Sequence, residues 1–138
     1  MPEERAPVRV LIADDSPLIC ERLAEMLGVV PGVEVVGHTG DASATLQAVR
    51  DLHPDVLTLD VRMPGGGFAV LKAIRAENLP VFVIVLTNYT YPEYEKRARE
   101  LQADVFLRKS DDFEKVAELV RDLTRRPASP VWTRRAAE

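Results

Sequence analysis

Among 138 residues the sequence has one cysteine, two histidines and one tryptophan, and these shortages remove whole classes of chemistry. The lone Cys20 cannot close an internal disulfide, so packing must hold the fold, as is usual in a reducing compartment. It lies in an apolar helical stretch and reads as core filler. His38 and His53 stand apart, at no metal-ligand spacing. No Gly-Lys-Ser or Gly-Lys-Thr follows Gly65 to Gly67, and the spacing there matches neither a P-loop nor a dinucleotide fingerprint. The longest apolar run, Val81 to Leu86, is far short of the roughly 20 residues that span a bilayer. Met1 to Pro7 carries charge where a signal peptide needs an apolar stretch, so a soluble, cytoplasmic protein with no membrane partner is expected. There is no basic excess either. Eighteen Lys and Arg against 22 Asp and Glu leave a net charge of -4, which gives no electrostatic reason to expect nucleic acid as a partner. Internal repeats and low-complexity segments are missing too.

What is present is a hydrophobic content of 46%, in a length that suits one domain of about 100 to 150 residues. Val8 to Ala13 is a short β-branched strand that stops at Asp14-Asp15. Ser16 suits the N-cap and Pro17 the first position of a helix, along which Ile19, Leu23, Met26 and Leu27 recur until Gly28. The alternation continues with a strand over Val33 to Val36 and a helix over Ala42 to Asp51, with Leu46 and Val49 inward. A third strand runs from Val56 to Leu59 and ends at Asp60. After the Pro64-Gly65-Gly66-Gly67 turn comes a helix carrying Leu71 and Ile74. Val81 to Leu86, the most apolar strand, is expected at the centre of the sheet and ends at Thr87. Pro92 to Leu101 reads as a polar helix with only Ala98 and Leu101 to bury. Asp104 to Leu107 is a fifth strand ending near Lys109, and Ser110 is expected to cap a last helix with the stripe Phe113, Val116, Val120 and Leu123.

Strands alternating with helices specify an α/β fold: a doubly wound five-stranded parallel sheet with helices on both faces, because parallel strands need long right-handed crossovers. The flavodoxin-like order 2-1-3-4-5 is the commonest five-stranded version, and its site lies beyond the carboxyl ends of the strands. Residues 8–124 form the expected domain, preceded by an extension over 1–7. The segment 125–138, with Arg125, Arg126, Arg134 and Arg135, has no continuing stripe and reads as a flexible tail.

This fold gathers Asp14, Asp15, Asp60, Thr87 and Lys109 on one edge of the sheet. Crowded carboxylates repel one another unless a cation or a proton joins them, and a hard divalent cation such as Mg²⁺ takes oxygen ligands, commonly one or two carboxylates with phosphate oxygens. A carboxylate beside such a cation can act as the nucleophile in phosphoryl transfer. The Lys109 ammonium and the Thr87 hydroxyl would then gain phosphoryl oxygens as partners, and Phe106 is placed to fill the space behind a moving Thr87. Each residue also has an ordinary reading. Asp14 and Asp15 could favour a helix N-terminus, Asp60 a turn, Lys109 solvent, and Phe106 the core.

Asp14-Asp15, Asp60 with Met63-Pro64 after it, Leu86-Thr87 and Lys109 together resemble the receiver domain of two-component response regulators, over about residues 8 to 124. The resemblance implies that Asp60 is the phosphoacceptor, that Asp15, Asp60 and the backbone carbonyl of Arg62 ligate Mg²⁺, and that Asp14 assists through water. Thr87 and Phe106 would be the switch residues and Lys109 a phosphate contact. Implied partners are a sensor histidine kinase or histidine phosphotransfer protein, and a downstream protein that reads the face of the fourth helix, fifth strand and fifth helix, near Tyr91, Tyr94 and Arg97. No separate substrate would be turned over, so the chain is not expected to be an enzyme. With no output region after residue 124, a stand-alone regulator is expected. The sequence departs from the family pattern in three places. Where the family usually has Met-Pro-Gly-Met-Asp-Gly, this sequence has Met63-Pro64-Gly65-Gly66-Gly67-Phe68 and is one residue shorter in the turn before the third helix, which predicts a mobile turn. Asn88-Tyr89 replaces a small residue after Thr87 and narrows the expected access to Asp60. Ser110 stands where proline is usual, removing the main reason for a cis bond after Lys109.

Two rivals deserve comparison. A receiver that only docks partners, without phosphorylation, would not need the intact Asp14, Asp15, Asp60, Thr87 and Lys109. A flavin binder on the same architecture would need a first loop rich in Ser and Thr, whereas this one is acidic. A haloacid-type phosphatase would want an Asp two residues after its nucleophile, where Arg62 stands.

Overall fold

The computed structural model describes residues 6–88 and 91–125, with Asp111 as backbone only. Tyr89, Thr90, most of the expected N-terminal extension and most of the expected tail lie outside the described residues. Five strands, β1 (Val8–Ala13), β2 (Val33–Thr39), β3 (Val56–Leu59), β4 (Phe82–Thr87) and β5 (Val105–Arg108), alternate with five helices. The helices are α1 (Pro17–Gly28), α2 (Ala42–Leu52), α3 (Gly67–Ala76), α4 (Pro92–Glu100) and α5 (Lys109–Thr124). The strands form one parallel sheet in the order β2-β1-β3-β4-β5. Among the described residues no helix is long and apolar enough to cross a membrane.

Because successive strand residues point to opposite faces, the apolar strands feed two cores. Val10, Ile12, Val56, Ile84 and Leu86 pack under α1 and α5, while Leu11, Leu57, Leu59, Val83 and Val85 pack under α2, α3 and α4. Every residue of β3 and β4 is buried, as parallel strands covered on both faces require. α4 is docked least: Ala98 is its one buried residue, with Tyr94 half-buried. Few buried apolar contacts make it the helix with the lowest local stability.

Two expectations need correction. The middle strand is β3, not the more apolar β4, because any strand with two neighbours and two covered faces is equally dry. β2 continues beyond Val36 to Thr39; at the sheet edge, half exposed, it tolerates Gly37 and His38, and a register shift between Val10 and Leu11 keeps it paired to β1. α5 is kinked close to its start, at Asp112. The helix starts at Lys109, Arg108 occupies the cap position, and the Arg108 N–H donates to the Asp112 carboxylate at 3.0 Å. Asp112 itself leaves helical geometry to make that bond (φ -118°, ψ 15°). Ser16 caps α1 as expected, its hydroxyl accepting from the Ile19 N–H.

At the edge remote from the acidic residues, Arg75 of α3 ties the amino ends of β4 and β5 together. Its guanidinium meets the Asp104 carboxylate at 3.0 Å and donates to the Val81 and Gln102 carbonyls. The same Asp104 oxygen accepts from the Val83 N–H at 2.8 Å.

Thr58 is the polar exception in the core. It lies between Ile12 and Ile84 in the sheet, 1% exposed, and its hydroxyl has no hydrogen-bond partner among the described residues. An unsatisfied buried hydroxyl costs more than the methyl that would replace it. Thr58→Val is therefore expected to raise stability by about 1 kcal/mol. Urea denaturation checks this through a higher midpoint at unchanged slope; a lower midpoint would mean the hydroxyl is paired in solution.

Candidate functional site

The acidic residues meet at the carboxyl edge of the sheet because β1 and β3 are adjacent and in register, with Ala13 opposite Leu59, so each strand delivers its next residues to the same place. Asp14, Asp15 and Asp60 each bring a carboxylate oxygen to within 4.8 Å of the others. Asp14 and Asp60 are buried, and Asp15 is exposed. Lys109, delivered by the β5–α5 junction, places Nζ 2.5 Å from Asp14 Oδ2 and 3.4 Å from Asp60 Oδ2.

Backbone groups hold this arrangement. The Asp60 N–H donates to the Ala13 carbonyl, and the Asp14 N–H to that of Thr39. Asp14 Oδ1 accepts from the Ser16 N–H at 2.9 Å, which fixes the carboxylate at the start of α1. Asp60 Oδ1 accepts a long 3.4 Å bond from the Arg62 N–H. The Cys20 thiol, buried under the same strand end, donates to the Asp14 carbonyl at 3.4 Å. Burial raises the thiol pKa, and the Asp14 charge adds to the rise.

The triglycine turn has specific steric reasons. Gly66 adopts φ +87°, the left-handed side that side chains disfavour. Gly67 starts α3 so close to the end of β3 that a Cβ there would stand 2.2 Å from the Asp60 carbonyl oxygen. Phe68, next along, packs edge-on against Tyr94 of α4 (ring centroids 5.9 Å apart), which in turn meets Tyr91 at 5.6 Å.

Thr87, fully buried, ends β4 opposite Arg108. Phe106 is half-buried opposite Val85, on the sheet face that Thr87 shares. The structure thus brings Asp14, Asp15, Asp60 and Lys109 together and puts Thr87 and Phe106 on one face beside them. No described peptide bond is cis, the Lys109-Ser110 bond included. Sequence reading missed the seat of Gly67 on the Asp60 backbone and the Ser16 N–H on Asp14. A third successive glycine directly before an apolar helix was the available signal for the first.

Electrostatically the site is strained in one direction. Burial pushes the Asp60 carboxyl above its ordinary pKa; the Lys109 ammonium and the Arg62 N–H oppose the rise, and the Asp14 charge adds to it. For Lys109, burial disfavours the charge, yet the hydrogen bond to Asp14 and the charges of Asp60 and Asp14 hold its pKa above the usual lysine value. Three carboxylates against one ammonium leave an excess of negative charge. The donors are all hard oxygens with one exposed member, a set that suits Mg²⁺.

Comparison with known proteins agrees with this fold. The family model of the response regulator receiver domain matches residues 10–121. A protein-glutamate methylesterase/protein-glutamine glutaminase of Anaeromyxobacter dehalogenans is 39% identical over 97 residues, 70% of this chain and 26% of the relative. The transcriptional regulatory protein NarL of Mycobacterium tuberculosis is 34% identical over 116 residues, 83% of this chain and 54% of that protein. This chain therefore spans only about a quarter to half of these relatives' lengths. Among solved structures, the signal receiver domain of NarL from M. tuberculosis superposes with a TM-score of 0.81 at 33% identity, covering 87% of this chain and 98% of that one. The response regulator domain of Thermotoga maritima CheB does so with a TM-score of 0.77 at 28% identity, covering 88% and 99%.

Proposed function

Because the chain belongs to the response regulator receiver domain family of two-component signalling, we propose that it is a phosphorelay switch in which Asp60 accepts a phosphoryl group from a histidine kinase or histidine phosphotransfer protein. The observation that carries the reading is the cluster itself: three carboxylates within 4.8 Å and one buried ammonium touching two of them. Asp15, Asp60 and the Arg62 carbonyl would hold Mg²⁺, with Asp14 assisting through water. When bound, the cation neutralises charge on the cluster and on the incoming phosphoryl oxygens.

The chain's own residues do the rest. Asp60, held by a long 3.4 Å bond from the Arg62 N–H and a 3.4 Å contact with Lys109, presents a carboxylate oxygen as nucleophile. Lys109 moves its ammonium from the Asp60 carboxylate to a phosphoryl oxygen, keeping its bond to Asp14. The Thr87 hydroxyl donates to another phosphoryl oxygen, and Phe106, on the same face, turns into the space that Thr87 leaves. These contacts exist only in the phosphorylated state, so they bias the equilibrium between two surfaces. The weakly docked α4 is the element such a bias shifts most easily, and with β5 and α5 it forms the face a protein target reads.

Intact-mass spectrometry after incubation with Mg²⁺ and acetyl phosphate tests the reading. One added phosphoryl group, absent under chelation, is expected. No adduct, and no change at Thr87 or Phe106 with beryllofluoride, would make the chain a phosphorylation-independent docking module instead.

A further inference from the structure

The shortened turn after Asp60 is closed rather than loose. The Gly66 N–H donates to the Met63 carbonyl at 2.8 Å and the Gly67 N–H to the Val61 carbonyl at 2.9 Å, so residues 61–67 fold back on themselves. The turn also reaches outward, because its Pro64 carbonyl accepts from the N–H of Ala42, the first residue of α2, at 2.8 Å. The first N–H groups of a helix have no partner within it, and here one of them is given to the turn. Gly65 approaches so closely that a Cβ there would stand 2.6 Å from the Ala42 Cβ.

The amino end of α2 is in turn tied to the acidic strand end. The Thr39 carbonyl accepts from the Asp14 N–H at 2.9 Å. The Thr39 hydroxyl meets the fully buried Thr45 hydroxyl at 2.6 Å, and Thr45 donates to the Asp41 carbonyl at 2.7 Å. Because Thr45 gives its one proton to Asp41, Thr39 is the donor of the pair. Asp41 caps α2, its carboxylate accepting from the Ala44 N–H at 2.7 Å. Residues 39–45 thus form a bracket with one arm on Asp14 and the other on the turn that carries Arg62.

Resting on the reading that Asp15, Asp60 and the Arg62 carbonyl hold Mg²⁺, we infer that Ala42 is a positioning residue of that site: its backbone N–H anchors the turn and so fixes the Arg62 carbonyl relative to the carboxylates. Mg²⁺ demands near-ideal octahedral geometry, so a backbone ligand that drifts with its turn weakens the site. Groups that orient the ligands of a metal, without touching it, govern its affinity in the same way.

A single substitution removes the anchor. Ala42→Pro deletes the N–H and sets a ring carbon toward the Pro64 carbonyl. Proline suits the first position of a helix, and Asp41 before it is already extended (φ -148°, ψ 166°), as a residue preceding proline must be, so the variant should fold. Ala42→Gly keeps the N–H and is the control. Calorimetric titration of the full chain with Mg²⁺ should show binding weakened roughly tenfold in Ala42→Pro and within about twofold of wild type in Ala42→Gly, with urea denaturation confirming that both variants are folded. With acetyl phosphate, Ala42→Pro should react slowly at low Mg²⁺ and recover at saturating Mg²⁺, since Asp60 and Lys109 are untouched. Unchanged Mg²⁺ affinity in Ala42→Pro, or an equal loss in both variants, would overturn the inference and leave the Mg²⁺ reading standing. A wild type that binds no Mg²⁺ would overturn that reading and the inference with it.

Discussion

Lys109→Met is expected to slow phosphoryl acceptance by roughly two to three orders of magnitude and, at the same time, to tighten divalent-cation binding. The ammonium is buried, its side chain 8% exposed, and it touches both buried carboxylates of the cluster. Removing it takes away a positive group poised to meet a phosphoryl oxygen, which lowers the rate. It also leaves Asp14 and Asp60 with no ammonium between them, so a divalent cation becomes their principal counter-charge. Without cation the variant should lose several kcal/mol of stability, about 3 by analogy with other broken buried ion pairs, and adding Mg²⁺ should restore much of it by binding only the folded state. Because its folded pKa is raised, Lys109 contributes stability that is fully present below the ordinary lysine value of 10.5 and is lost only as pH rises through the higher folded value. The wild-type contribution thus covers the whole neutral range. Thermal melts with and without Mg²⁺, and a cation titration, check this; a variant with unchanged cation affinity would contradict it.

Asp104→Ala should cost about 3 to 4 kcal/mol of folding stability while leaving phosphoryl acceptance by the folded molecules unchanged. The substitution leaves the Arg75 guanidinium, which is 11% exposed, with its carbonyl partners but without the Asp104 counter-charge, and takes the acceptor from the Val83 N–H. Most of the cost comes from the charge left behind rather than from the bond lost, so the double variant Arg75→Met with Asp104→Leu should recover a large part of it. Urea denaturation of the single and double variants decides between this and a merely decorative ion pair, for which the single loss would stay below about 1 kcal/mol.

Lys109 and Asp104 lie on either side of what sequence reading reaches. Strand and helix identity was legible because β-branched runs and helical stripes answer to local periodicity, and the parallel sheet followed from strands alternating with helices, whereas the order of its strands was taken as the commonest for five. Asp14, Asp15, Asp60, Thr87 and Lys109 were legible for the same reason: each stands at a strand end, and the parallel sheet sends all such ends to one edge. The Arg75–Asp104 clamp was invisible, because it joins residues 29 apart whose identities carry no pattern. The kink in α5 was not legible, because it goes with the bond from the Arg108 N–H to the Asp112 carboxylate, which no periodicity announces. β2 outran its apolar run because edge pairing to β1 requires backbone, not hydrophobic side chains. The triglycine turn looked like mobility, whereas Gly67 is dictated by contact with a strand end 7 positions earlier, as its Cβ clash with Asp60 shows.

Reductive trapping tests the central claim most directly. The chain is incubated with Mg²⁺ and acetyl phosphate, treated with borohydride, which converts an aspartyl phosphate to homoserine, and mapped by peptide mass spectrometry. The account predicts conversion at residue 60 alone, lost in Asp60→Asn and under chelation. Conversion at Asp14 or Asp15 instead, or none in a sample that carries a phosphoryl adduct, would contradict it.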